Sequence, residues 1–443
     1  MLPDELVMLV DTVRRFMASE ARPLEDTLEH DATGPPAPQL AELQRKAQAA
    51  GLWSLQTPAQ FGGAGLSILG QCLVQEEAAK CRMGAFFPAL GAFGGNPPSV
   101  LFHATAEQFE QYARPIIEGR AGRPFTAISE PSGGSDPARA IRCRAERRDD
   151  VYVVNGTKTW TTHAGTAEWG ILYARTGEQG DKGGISCFIL DANSPGLTKT
   201  PIGVMTSYSP FELHFDNVEI PVENRIGAEG HGFSLAREYL VNSRIPYTAV
   251  PVGIAQRALE LTIEWVKERS TFGKRLSERQ GVQWMLADCE IELRAARLLM
   301  YAAAWKADLG QDVRIDASIC KLNGTETAFR MAADSVDLRI RCASADGTDA
   351  QPARAAVDQS ADTAHPHRTS VPPGATEAFR PSCRARLRRR CLGCLAEQHP
   401  GIGRRADRHA DDRRIVGGRP RHLPRLQGLR CADASGDHSR ERL

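Results

Sequence analysis

The hydrophobic period changes twice along this chain and then vanishes. Leu6, Val7, Leu9, Val10, Val13 and Phe16 recur at helical spacing. Gly34-Pro35-Pro36 breaks the chain before a second helix over 39–50, and a third is expected over 68–80. From Pro124 the pattern turns to short β-rich runs at 151–154, 171–173, 185–190 and 212–215. Asn155-Gly156 is a strong tight-turn dipeptide and predicts the end of the first run. Beyond residue 233 the helical period returns, in Val282, Met285, Leu286, Cys289, Leu293 and Ala296, then in Ile315, Ile319, Leu322, Phe329, Ala333 and Val336. This order predicts an α+β chain. A helical N-terminal domain (1–120) precedes a middle β-barrel domain (121–235) and a C-terminal helical bundle (236–340), which remains incomplete.

After residue 340 the composition no longer suits a core. Lys321, Trp305 and Tyr301 are the last residues of their types. From Arg341 onward there are 20 arginines, no lysine, six of the eleven histidines and five of the eleven cysteines, with Phe379 the one Phe, Trp or Tyr. So few large apolar groups cannot offset the entropy of ordering the backbone, so 341–443 is expected to be disordered. A native disordered tail and an arginine-rich RNA-binding tail are two readings. We prefer a third, a reading-frame shift in a GC-rich gene, because native disordered tails favour Lys, Glu and Ser. Cys391-Leu-Gly-Cys394, with Cys383, His399 and His409, has zinc-ligand residue types. It lacks a framework around it, and no metal site is assigned.

Elsewhere composition mainly excludes. A net charge of +1 over 443 residues points to no nucleic-acid partner. No apolar run is long enough to span a bilayer, and the acidic start Met-Leu-Pro-Asp-Glu is unlike a signal peptide. Eleven scattered cysteines read as reduced thiols in a cytoplasmic protein.

Four strings carry chemistry. Residues 127–136 read Ala-Ile-Ser-Glu-Pro-Ser-Gly-Gly-Ser-Asp, whose glycines and hydroxyls allow close backbone approach to a phosphate or a flat ring. Asn155-Gly-Thr-Lys-Thr-Trp-Thr-Thr162 follows, then Arg269-Ser-Thr-Phe-Gly-Lys274. Pro58-Ala-Gln-Phe-Gly-Gly-Ala-Gly-Leu-Ser67 precedes them. Each alone is as compatible with an ordinary turn or helix end. Together, in this order, they resemble the acyl-CoA dehydrogenase family, with patterns similar to P-E-x-x-G-G-x-G-L-S and N-G-x-K-x-W-I-T. The departures are Ala59 for an acidic residue, Arg139 for a small one and Val241 for an acidic one.

The resemblance implies FAD as cofactor and an acyl-CoA thioester as substrate, dehydrogenated across its α–β bond. An electron-transferring flavoprotein is the implied acceptor, and the implied assembly is an oligomer, most often a homotetramer, of identical or mixed subunits. Carried over residue by residue, it implies that Thr126, Ala127, Ile128 and Ser129 pass the flavin edge. Gly134 and Ser135 then lie near pyrophosphate and acyl-CoA. Trp160, Thr161 and Thr162 cover the ring and approach its N5 atom. Arg269, Phe272 and Gln280 serve the flavin of a neighbouring subunit, and Arg244 lies near the acyl-CoA. The catalytic base is unassigned. One family position for it holds Ser243, and the other falls in the tail. Read one base out of step with freely chosen codons, 346–365 can give MGLTRNLPERRWTNLRTLRI. The family has a similar segment, M-G-x-T-[KR]-E-L-P-x-E-R, upstream of its glutamate base.

Overall fold

A computed structural model describes residues 2–343, except 30, 31, 33, 82, 83, 85, 86, 134, 135, 179–182 and 205–208, and excludes the side chains of 238–242 and 339–343. The readings made for the tail, its cysteine–histidine set included, lie outside the described residues.

Three helices of more than ten residues build the N-terminal part: α1 (Asp4–Phe16), α2 (Ala37–Ala49) and α3 (Ile68–Ala78). Helix α1 buries Val10, Val13 and Phe16 and leaves Val7 exposed. Helix α3 buries residues on every side, the charged Glu76 and Glu77 among them, as an element packed all round must. Its Val74 and Ala78 join the N-terminal core, and its Leu69, Cys72 and Leu73 join a core shared with the C-terminal helices. Its start is capped twice. Ser67 Oγ accepts from Gly70 N at 3.1 Å, and the distant Asp308 carboxylate accepts from Ile68 N at 2.6 Å and Leu69 N at 3.0 Å.

The middle part is one sheet, with strand order β6-β7-β3-β2-β4-β5-β8 and β1 added in parallel to β4. The strands are β1 (Phe125–Ala127), β2 (Arg144–Arg148), β3 (Val151–Thr161), β4 (Trp169–Arg175), β5 (Ile185–Asp191), β6 (Leu197–Pro201), β7 (Phe211–Pro221) and β8 (Arg225–Ile226). Val154, Leu213 and Phe215 share a core with Leu172, Phe188 and Leu190, so strands from both halves of the path close on one interior. Strands β4 and β5 are buried on both faces. Leu172, Ala174, Phe188 and Leu190 point into that interior, whereas Ile171, Tyr173, Ile185, Cys187 and Ile189 meet Leu101, Phe109 and Ile117 of the N-terminal part. Such two-sided burial explains their near-continuous apolar sequences.

The expected turn at Asn155-Gly156 does not form. Strand β3 runs through it, pairing Asn155 with Arg144 of β2, and the β3–β7 register shifts between Val154 and Gly156. The dipeptide makes a bulge instead. Gly156 has φ 140°, and a Cβ there would lie 2.7 Å from Cys143 Cα, so glycine is required for both reasons.

The C-terminal part has three long helices, α4 (Gly232–Glu268), α5 (Gln280–Asp308) and α6 (Arg314–Ala343). Helix α4 continues through Pro246 and Pro251, where packing of Ile245, Ala249 and Val252 offsets the lost ladder donors. A Cβ on Gly253 would lie 2.1 Å from Glu76 O, so α3 and α4 approach closely. The expected apolar stripe of α5 is buried at Val282, Cys289, Leu293 and Ala296. That of α6 is not. Ile315, Ile319, Leu322, Phe329 and Val336 are exposed, and the smaller Ala317, Cys320 and Ala328, with Met331 and Leu338, face the core. Small residues let α6 lie close to α4, as Gly324 does beside Thr248, and the larger ones turn outward. Helix α5 has a matching outer row, Trp284, Ile291, Leu298 and Trp305.

Candidate flavin site

Two of the sequence strings meet at one edge of the sheet. Strand β1 brings Thr126 to the surface and buries Ala127, and Ile128 and Ser129 follow half-buried. Thr159 N donates to Ser129 O at 2.9 Å, tying the end of this string to β3. Beneath them Lys158 and Glu130 form an ion pair of 2.8 Å, with side chains 0% and 4% exposed. Lys158 Nζ also donates to Ile128 O at 3.0 Å. Glu130 in turn accepts from Arg142 N at 2.7 Å and Cys143 N at 3.0 Å. Both residues stand inside motif strings, where the sequence alone gives neither a role. The available signal was a lysine in a strand otherwise lined with core residues.

Strand β3 ends in a surface platform. Trp160 is 59% exposed, although it lies between the buried Thr159 and Thr161, and its φ is +59°. A left-handed tryptophan is uncommon and signals a fixed local geometry. Thr162 beside it is exposed, whereas Thr161 is 1% exposed and its Oγ1 has no partner among the described residues. His163 follows with φ +70°, and its carbonyl accepts from Thr166 N and Ala167 N. Burial, then the nearby Arg123, brings the His163 imidazole down to about 4, so it is neutral at physiological pH. Burial also pushes the Cys143 and Cys187 thiols up to about 12, which removes both as thiolate nucleophiles.

The glycine-rich loop follows Glu130. Gly133 is needed because a Cβ there would lie 2.2 Å from Ala140 Cβ, in the short helix Pro137–Ala140. Gly134 and Ser135 lie outside the described residues. Arg139, which departs from the small family residue, is exposed and lies 3.9 Å from Asp136. The far end of the loop is held by Arg175, itself 1% exposed, whose Nε and Nη2 donate to Ile141 O and Ala138 O at 2.8 Å each.

The remaining expected residues belong to the C-terminal helices. Arg269 ends α4 and is half-buried rather than fully exposed. Ser270–Thr271 and Lys274–Arg275 form a hairpin (β9 and β10) whose turn, Phe272-Gly273, has φ +48° and +72°. Phe272 is 87% exposed, with the Arg279 guanidinium 5.9 Å from its ring centre, and Gln280 is exposed at the start of α5. Arg244 is exposed on α4, and Ser243 beside it is half-buried. Among the described residues no cluster of His, Cys, Asp and Glu could hold a metal ion, and no helix is long and apolar enough to cross a membrane.

An exposed indole beside a free-standing hydroxyl and a backbone-tethered serine suits a planar heteroaromatic ligand with polar edges. These residues fit FAD, the flavin implied by the motifs. Comparison with known proteins gives the same answer. The N-terminal, middle and C-terminal domains of acyl-CoA dehydrogenase match residues 3–120, 126–218 and 230–341. An acyl-CoA dehydrogenase of Bacillus subtilis is 32% identical over 340 residues, covering 75% of this chain and 87% of that protein. Subunit CarC of the caffeyl-CoA reductase-Etf complex of Acetobacterium woodii is 32% identical over 306 residues, 67% of this chain and 79% of its own length. The solved FAD complex of PigA superposes with a TM-score of 0.67 at 25% identity, over 76% of this chain and 88% of that one. This chain belongs to the acyl-CoA dehydrogenase family, a family of FAD-binding oxidoreductases.

Proposed function

We propose that this chain is built for FAD-dependent α,β-dehydrogenation of an acyl-CoA thioester, and that its own turnover is impaired. The observation that carries the reading is the junction of the two motif strings, where Thr159 N meets Ser129 O directly below the exposed Trp160. When bound, FAD supplies the hydride acceptor. Trp160 covers one face of the ring, and Thr162 donates to its edge, where negative charge grows. Thr126, Ala127, Ile128 and Ser129 line the opposite edge, and Thr161 contributes to the cofactor site through its backbone alone, its side chain being buried. Gly134 and Ser135 approach the pyrophosphate and the acyl-CoA, which Arg244 also contacts. Arg269, Phe272 and Gln280 reach the flavin of a neighbouring subunit, where a guanidinium suits a phosphate.

The impairment follows from chemistry. The α-proton needs a positioned base, and such a base contributes about 10²–10⁴-fold. Ser243 occupies one family position for it, and the family match ends at residue 341, before the other. An electron-transferring flavoprotein is the proposed acceptor, supported by the Etf complex of the Acetobacterium relative. An oligomer, of identical or mixed subunits, is supported by the outward rows of α5 and α6. Trp284, Ile291, Leu298 and Trp305, and Ile315, Leu322, Phe329 and Val336, repeat every seven residues, as in a helix–helix seam. Titrating flavin-free protein with FAD, followed by flavin fluorescence, tests the site. Saturable binding weakened by Trp160→Ala supports it, and binding indifferent to that change refutes the assignment of Trp160.

A further inference from the structure

We propose that Glu130, Lys158 and Arg175 form a buried clamp that ties the described ends of the flavin-binding loop, Glu130 and residues 138–143, to the strand that carries Trp160. This rests on the flavin reading above. All three side chains are charged and almost wholly buried. Desolvating such groups is costly, and apolar residues of similar volume stabilise a core at least as well. What an apolar core cannot do is fix a loop by its backbone. Glu130 and Arg175 do so, and Lys158 joins Glu130 to the platform strand.

Glu130 stands at the start of the loop and bonds to its end, accepting from Arg142 N at 2.7 Å and Cys143 N at 3.0 Å. Arg175, on β4, takes two loop carbonyls, Ala138 O and Ile141 O, at 2.8 Å each, while its backbone N donates to Cys143 O at 2.8 Å. Its Nη1 also donates to Glu178 O at 2.8 Å and Gly183 O at 3.4 Å. Lys158 ties this assembly to the platform, since it lies two residues before Trp160 and bonds both Glu130 Oε1 and Ile128 O. A rigid path of charge-assisted bonds therefore runs from the platform through Lys158 and Glu130 to the far side of the loop. The three are positioning residues and touch no ligand themselves.

The test uses the full chain and the variants Lys158→Met, Glu130→Gln and Arg175→Lys. The last keeps the charge but loses the planar fork that reaches two carbonyls. Amide hydrogen exchange of the flavin-free chain is read over 126–143 and 157–162, with 185–191 as an internal reference, and FAD affinity is read by fluorescence. We expect faster exchange confined to the two motif segments, and FAD binding weakened about tenfold or more, as for the loss of one bond to a charged group. Exchange rising equally at 185–191 would make the trio ordinary core and overturn the proposal. So would unchanged FAD affinity in the variants. Failure of the parent chain to take up FAD would overturn the flavin reading, and the positioning role with it.

Discussion

Replacing Thr161 by Val should stabilise the protein. Thr161 stands opposite Phe211 across the β3–β7 ladder, and Phe211 packs against the interior of the sheet. Its side chain is 1% exposed and its hydroxyl has no partner among the described residues. A buried hydroxyl without a hydrogen bond costs about 1–3 kcal/mol. Valine keeps the branched shape and the β-propensity and removes that cost. The expected gain is about 1–2 kcal/mol, or ~1–4 °C in the unfolding midpoint of a chain this size. Thermal unfolding of flavin-free protein measures it, beside an FAD titration of both proteins. The reasoning requires higher stability and unchanged FAD affinity, because the side chain faces the sheet interior. Lower stability would show that the hydroxyl is satisfied. Weaker FAD binding would show that it reaches the ligand.

Three further outcomes are expected. Glu76 is buried between α3 and α5, where it accepts from Arg297 Nε at 2.7 Å and Tyr301 Oη at 2.8 Å. Arg297→Met should cost about 3 kcal/mol and Tyr301→Phe about 2 kcal/mol in denaturant unfolding, and losses near zero would mean that water satisfies Glu76. The depressed His163 pKa contributes stability in full above the unfolded-state value near 6.5, and that stability is lost as pH falls toward about 4. His163→Asn should therefore flatten the stability profile between pH 6.5 and 4, and an unchanged slope there would mean that His163 is not buried neutral. Finally, Ile291→Glu with Leu298→Glu should lower the molecular mass seen by light scattering without loss of helicity, whereas an unchanged mass would clear the outer face of α5 as an interface.

How far the fold was legible depended on which forces acted locally. The period of α1 and α5 was readable because each buries one stripe in its own chain. The same logic misplaced Ile315, Leu322, Phe329 and Val336, because periodicity marks an apolar face without saying which neighbour covers it. Asn155-Gly156 has strong turn chemistry, yet pairing with β2 and β7 on both sides overrode it and used the glycine for a bulge. The β9–β10 hairpin was missed because two-residue strands carry no period. The motif strings themselves were readable, and in the fold two of them meet where Thr159 N donates to Ser129 O. The Lys158–Glu130 pair was not legible, since the two charges lie 28 residues apart and meet only in the folded sheet.

The most direct test is a dye-coupled dehydrogenation assay over a panel of acyl-CoAs. It compares the 443-residue chain with a version carrying, after residue 340, the sequence that the proposed frame shift implies, both loaded with FAD. The account predicts turnover by the restored chain, with the unrepaired chain about 10²–10⁴-fold slower for want of a base. Equal turnover by the two would contradict it, and would place a working base within the 443-residue chain itself.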